Sequence, residues 1–135
     1  MADRSQPRIY TVEEAREMLP RLRPLLIRIR DLRREIASHT ETLGKVNVEM
    51  RSNGHAPEVA RLEGRISNCM DEIRRALEEI SDFDVEVKDL DIGLVDFLGQ
   101  RDGRIVYLCW AVDEPTVAYW HELNTGFRGR QPLDE

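Results

Sequence analysis

The sequence predicts an α+β protein: a short helix, a long antiparallel helical hairpin, then a small antiparallel β-meander, in a single domain over residues 1–135. Three observations predict it. Between Leu26 and Phe83 apolar residues form two ladders stepping three or four positions, the spacing of one helix face, apart from gaps at His39 and Cys69. The two halves of that stretch fold onto each other in one register. After Phe83 the apolar period falls to two, the spacing of strands. The helical part covers residues 11–82, and the meander with its tail covers 83–135.

Residues 1–8 are a polar tail. Thr11-Val12-Glu13-Glu14 is a capping box: the threonine hydroxyl accepts from the third backbone N–H while Glu14 reaches back. Tyr10 and Ala15 stand at the positions of a hydrophobic staple, and acidic residues in the first turn suit the helix dipole. Pro20 and Pro24 then interrupt the helical pattern, and an interior proline costs roughly 3 kcal/mol in a straight helix. The expectation is a short helix from Val12 to about Leu19, a break, and a long helix opening at Pro20. That short helix lies beyond the reach of the second hairpin arm. Its apolar side is therefore expected to cover the C-terminal half.

The hairpin is read from two ladders. Leu26, Ile29, Leu32, Ile36, Leu43, Val46 and Met50 form one; Val59, Leu62, Ile66, Ile73, Leu77, Ile80 and Phe83 form the other. Folded about Asn53-Gly54-His55, the residue numbers of every facing pair add to 108 or 109. This is an αα-hairpin with a polar tip, its second arm opened by Pro57 and ended by Ser81-Asp82. A hairpin buries one stripe per helix, so a second surface is expected: the rest of the chain, or a second copy in a coiled-coil homodimer. Gly44 and Gly64 share one level, which reads as close helix approach, as a close contact with a second chain, or as two tolerated glycines. His39 and Cys69 also share a level. Two such pairs across a two-fold axis would offer Cys2His2 zinc ligands; within one chain they read as a satisfied histidine beside a buried thiol.

Charge narrows the partners. Residues 1–81 carry 15 basic and 14 acidic side chains, residues 82–135 carry 5 and 12, and the net charge is −6. A field of that sign disfavours nucleic acid, which needs a basic surface. Arg16, Arg23 and Arg30 repeat every seven residues beside the apolar stripe. They read as anion or RNA contacts or, better matched to the overall charge, as a solvated face with partners such as Glu35, Glu72 and Glu79. Cys69 and Cys109 lack CxxC spacing and read as reduced, buried thiols. The polar start and the absence of a long apolar run lead us to expect a cytoplasmic protein with no membrane segment.

In the second half, Val85/Val87 alternate with Glu86/Lys88; Gly93 to Leu98, Arg104 to Val112 and Thr116 to Glu122 follow as strands. Gly99-Gln100-Arg101-Asp102-Gly103 and Asp113-Glu114-Pro115 are the turns between the last three. Ile105 to Trp110 is apolar on both faces, so both faces of the sheet should be covered. The helices take one. The other implies a dimer interface or a pocket.

Polar groups able to do chemistry concentrate here: Glu86, Asp89, Asp91, Asp96, His121 and Glu122. Asp89-Leu90-Asp91-Ile92-Gly93 begins like a calcium loop but lacks the third oxygen donor and the closing glutamate. Turns centred near Arg101 and Glu114 put Asp96, Val106 and Glu122 in one row, and a one-residue slip exchanges faces. Asp96 with His121 or Glu122 is thus a candidate divalent-metal site or acid–base pair; the bland alternative is a set of rim residues. Asp89 and Asp91 complete the candidate metal ligands. Gly126-Phe127-Arg128-Gly129-Arg130 can fold over the sheet to pair with its aspartates, or bind a small anionic ligand through Arg128 and Arg130. No familiar catalytic motif occurs.

Lys88-Asp89, Gly93-Leu94-Val95-Asp96-Phe97, Leu108-Cys109-Trp110, Trp120-His121-Glu122 and Gly126-Phe127-Arg128-Gly129-Arg130 together resemble a prokaryotic family of uncharacterised proteins, domain of unknown function 2203. Thr11-Val12-Glu13-Glu14-Ala15, Leu19-Pro20 and Arg23-Pro24-Leu25-Leu26 are similar to that family's start. Leu98 and Asp113 depart from its pattern, where proline and glycine are expected at turns. The resemblance implies no established activity. Two functions therefore stand as expectations: a self-associating interaction or ligand-binding module, and a metal-binding protein or metal-assisted enzyme using the carboxylates and histidine of the sheet.

Overall fold

The computed structural model of the protein describes residues 6–50 and 56–133. Helix α1 runs Val12–Met50 and α2 runs Ala56–Asp82; strands β1 (Val85–Asp89), β2 (Leu94–Arg101), β3 (Arg104–Ala111), β4 (Tyr119–His121) and β5 (Gln131–Pro132) follow. The strands form one antiparallel sheet in the order β1-β2-β3-β4-β5. The fold is α+β, two helices leading into a five-stranded sheet. No helix among the described residues is long and apolar enough to cross a membrane.

The capping box forms with both halves in place. Glu14 N donates to Thr11 Oγ1 at 3.0 Å and Thr11 N donates to Glu14 Oε1 at 2.9 Å. The separate first helix does not form: α1 is continuous through Pro20 and Pro24. The two prolines are four residues apart on the exposed side of the helix. Across the helix, Ala15, Leu19, Leu22, Leu26 and Ile29 are buried in the main core. Packing of that unbroken stripe outweighs the proline penalty.

The first turns of α1 cover the sheet, as the sequence implied. Met18, Leu19 and Leu22 share one core with Val95, Phe97, Val106, Leu108, Trp110, Val117 and Trp120. Tyr10 closes its corner: its ring meets Phe97 edge-on at 5.1 Å, its hydroxyl donates to Phe83 O, and its N–H donates to Leu98 O at 2.7 Å. Leu98 therefore lies inside β2, opposite Tyr107, and not at a turn. Asp113 does lie in a turn.

Along the hairpin, α1 and α2 pack on each other, and Ile36 and Ile73 line one groove. The tip Asn53-Gly54-His55 lies outside the described residues. Gly44 and Gly64 do not mark close approach: a Cβ added to either would meet nothing within 4 Å. Cys69 Sγ donates to Glu35 Oε2 at 2.8 Å, and His39 Nε2 lies 3.6 Å from the same carboxylate oxygen. Burial and Glu35 push the Cys69 thiol up to about 11.

Two of the three arginines of the heptad, Arg16 and Arg23, are committed to backbone carbonyls of the C-terminal half. Arg16 donates twice to Val117 O (3.1 and 2.9 Å), Arg23 donates to Val112 O at 2.6 Å and lies over Trp110, and Arg30 pairs with Asp113 at 3.4 Å. Seven residues are two helical turns, and the three side chains reach Val117, Val112 and Asp113 of the β3–β4 connection. Of the acidic partners expected, Glu72 pairs with Arg28 instead.

Candidate metal centre

The site begins with a turn. Asp102 and Gly103 both have positive φ (52° and 78°), and Arg101 faces Arg104, so β2 and β3 are joined by a two-residue hairpin turn. Strand β2 therefore includes Gly99, Gln100 and Arg101, which the sequence reading assigned to the turn. The register follows: Asp96 stands opposite Cys109, not Val106, and Cys109 stands opposite Tyr119. His121 is two residues further along β4, opposite Tyr107. Side chains two apart on a strand share a face, so Asp96, Cys109 and His121 converge on the side of the sheet away from the helices.

They converge closely. One donor atom from each of Asp96, Cys109 and His121 lies within 4.8 Å of the others, and all three residues are buried. His121 Nε2 is 3.1 Å from both Asp96 Oδ1 and Oδ2. His121 Nδ1 is 2.7 Å from Glu122 O. A carbonyl can only accept, so Nδ1 carries a proton and Nε2 is the nitrogen presented to the cluster. Glu122 O also accepts from Thr125 N and Oγ1 at 3.3 Å, which ties the ring's orientation to the turn after β4.

Burial dominates the electrostatics of the cluster and favours the uncharged forms of its acids. Burial raises the Asp96 carboxyl, against the opposing pull of His121, Cys109 and Lys88. Burial, then the Asp96 charge, push the Cys109 thiol up to about 12. A divalent ion reverses both effects. Around the rim, Tyr107 packs 5.3 Å from the His121 ring and donates to Glu86 Oε2 at 2.9 Å, while Lys88 pairs with Glu86 at 3.0 Å.

Chemically, a carboxylate oxygen, a thiolate sulfur and an imidazole nitrogen are three zinc-type donors leaving a fourth tetrahedral position. Metal–oxygen and metal–nitrogen bonds of roughly 2.0–2.1 Å set donors roughly 3.3 Å apart. The 3.1 Å between Nε2 and the Asp96 oxygens is close to that edge.

The other expected ligands are placed elsewhere. Glu122 forms a two-pronged pair with Arg104, which holds its carboxyl below the usual range. Asp91 pairs with Arg33 at 2.7 Å, and Asp89 Oδ1 accepts from Asp91 N and Ile92 N within the β1–β2 turn. Arg128 is exposed. The tail does fold over the sheet: β5 pairs with β4, and Arg130 lies 3.8 Å above the Tyr119 ring. Its carboxylate partner is Glu114 in the β3–β4 connection, not one of the aspartates. Cys109 is the residue that sequence reasoning missed. Asp102-Gly103 was its signal, because a two-residue turn there fixes Asp96 opposite Cys109.

Fold and site together define a class: an α+β protein whose antiparallel sheet carries a buried Asp–Cys–His cluster on its helix-free face. Residues 8–133 match the model of the family described as an uncharacterised conserved protein, DUF2203. The chain belongs to that family. No curated protein and no solved structure matches it.

Proposed function

We propose that this is a metal-binding protein that holds one divalent ion, best zinc, through Asp96 Oδ, Cys109 Sγ and His121 Nε2. The observation that carries the reading is the convergence of the three donors with His121 Nδ1 already committed to the Glu122 carbonyl. Such an outer bond is what a ligating histidine uses to fix its tautomer and aim. A buried Asp–His pair alone is a weaker account. It explains two of the three converging residues and gives Cys109 no part. The mixed S, N, O set suits zinc over calcium or magnesium, which take oxygen. One coordination position stays open for water or a ligand. The test is elemental analysis of the purified chain with thermal shift against a panel of divalent ions. Stoichiometric zinc and a zinc-specific rise in melting temperature are expected; no metal and no shift would remove the proposal.

A second reading, self-association, has its own support. Ile36, Leu43, Ile66 and Ile73 belong to the apolar ladder yet remain half-buried in a hairpin of only two helices. Ile36, Ala37, Ile73 and Leu90 line an apolar groove beside it. A second copy laid along that stripe would cover it. Light scattering at micromolar concentration that finds only monomers would end this reading.

A further inference from the structure

A groove opens where the hairpin meets the β1–β2 turn, and none of its residues belongs to the metal cluster. It consists of two adjoining hollows of about 280 and 290 Å³, which share Arg33, Ala37 and Leu90. Helical spacing builds one wall. Arg30, Arg33, Arg34 and Ala37 stand at i, i+3, i+4 and i+7, so they share a face of α1. The opposite wall is Leu90 and Asp91, in a turn that Asp89 Oδ1 holds by accepting from Asp91 N and Ile92 N. Ile36 and Ile73, one from each helix, extend the apolar lining. Ile73 and Leu90 pack against the main core, while Arg33 and Arg34 are exposed. Charge therefore lies toward water and apolar surface toward the interior.

We infer that this groove binds a small carboxylate with an apolar body, its head on the arginines and its body against Ile36, Ala37, Ile73 and Leu90. The site stands apart from the metal reading. Charge selects the head. Three guanidiniums line the groove beside one carboxylate, Asp91, which pairs with Arg33 at 2.7 Å. Asp113, outside the lining, pairs with Arg30 at 3.4 Å. Arg34 makes no ion pair among the described residues. Three cations against two carboxylates leave one positive charge, which a monoanion neutralises and a dianion exceeds. A planar carboxylate also matches the guanidinium fork. The apolar lining selects the body. A bare anion leaves those walls wet, whereas an alkyl chain laid on them gains by leaving water. The hollows are at the small end of ligand pockets, which suits a short chain.

The experiment titrates octanoate, below its micelle concentration, into the isotope-labelled full chain and follows backbone amide shifts by NMR. Saturable shifts centred on Arg33, Ala37 and Leu90 are expected. Acetate, the head without the body, should bind at least about tenfold more weakly. R34Q, on exposed helix surface, should keep the fold and bind octanoate about threefold more weakly or worse. A37E places a carboxylate of the chain's own among the arginines, on a helix that accepts glutamate, and should abolish the shifts at an unchanged melting temperature. Light scattering runs alongside, because a second copy is the rival occupant of the same walls. No saturable shift, acetate or inorganic phosphate binding as tightly as octanoate, or R34Q binding undiminished would overturn the inference. A dimer that octanoate leaves intact and A37E dissociates would overturn it too, and would assign the groove to a second copy.

Discussion

The two faces of this sheet are built from alternate residues of the same strands, yet they solve burial in opposite ways. Toward the helices, Val95, Phe97, Val106, Leu108 and Trp110 join one apolar core with Tyr10, Leu19 and Leu22. Away from them, Leu94, Asp96, Cys109, Ala111 and His121 are just as buried, but with the Asp–Cys–His cluster among them. Apolar burial there would have been the simpler route to stability, since buried polar groups must be partnered to avoid a cost. The inner face holds the fold; the outer face is where a ligand-dependent contribution can reside.

This contrast can be broken by substitution, beginning with the largest effect. Phe97→Ala empties a fully buried position beside Tyr10 and should cost about 3–5 kcal/mol in denaturant unfolding, equally with and without zinc. On the outer face, H121Q should behave differently: zinc should raise the stability of the natural chain by about 2.7 kcal/mol at a hundredfold excess over Kd, and this increment should vanish in the variant. Equal zinc increments in the two proteins would erase the distinction between the faces. The next effect lies at the seam. Arg23→Ala removes a charged donor from Val112 O and should cost about 1.5–3 kcal/mol, whereas Arg28→Ala, at an exposed pair with Glu72, should leave the unfolding midpoint unmoved. Smallest, and opposite in sign, Gly44→Ala and Gly64→Ala should each stabilise by about 1 kcal/mol, because both sit on open helix surface. Destabilisation at either would mean that the hairpin packs more tightly there, as a second copy would require.

How much of this was legible in the sequence depends on which signal each feature needed. The hairpin follows from a repeated helical period over many residues, which a local error cannot shift. The sheet face depends on a period of two, where a single residue decides everything. Centring the second turn near Glu114 gives the observed β3–β4 register. Centring the first near Arg101, in place of Asp102-Gly103, puts Asp96 opposite Val106 and hides Cys109. Asp96 and His121 survived that slip because both were singled out as polar residues in apolar strands. Glu122 was singled out for the same reason, and its face turned it toward Arg104. The continuity of α1 through two prolines was illegible because the compensation is tertiary: the sheet packed under Leu19, Leu22 and Leu26. The reach of Arg16 and Arg23 to loop carbonyls more than eighty residues away was hidden for the same reason.

X-ray absorption at the zinc edge of the loaded protein examines the outer face most directly, because it counts sulfur separately from nitrogen and oxygen. One sulfur at roughly 2.3 Å, with the remaining donors nitrogen and oxygen at roughly 2.0–2.2 Å, is the predicted shell, and the sulfur should disappear in C109A. A shell without sulfur, or one unchanged in C109A, would place the ion elsewhere and leave Asp96, Cys109 and His121 as a buried polar cluster and nothing more.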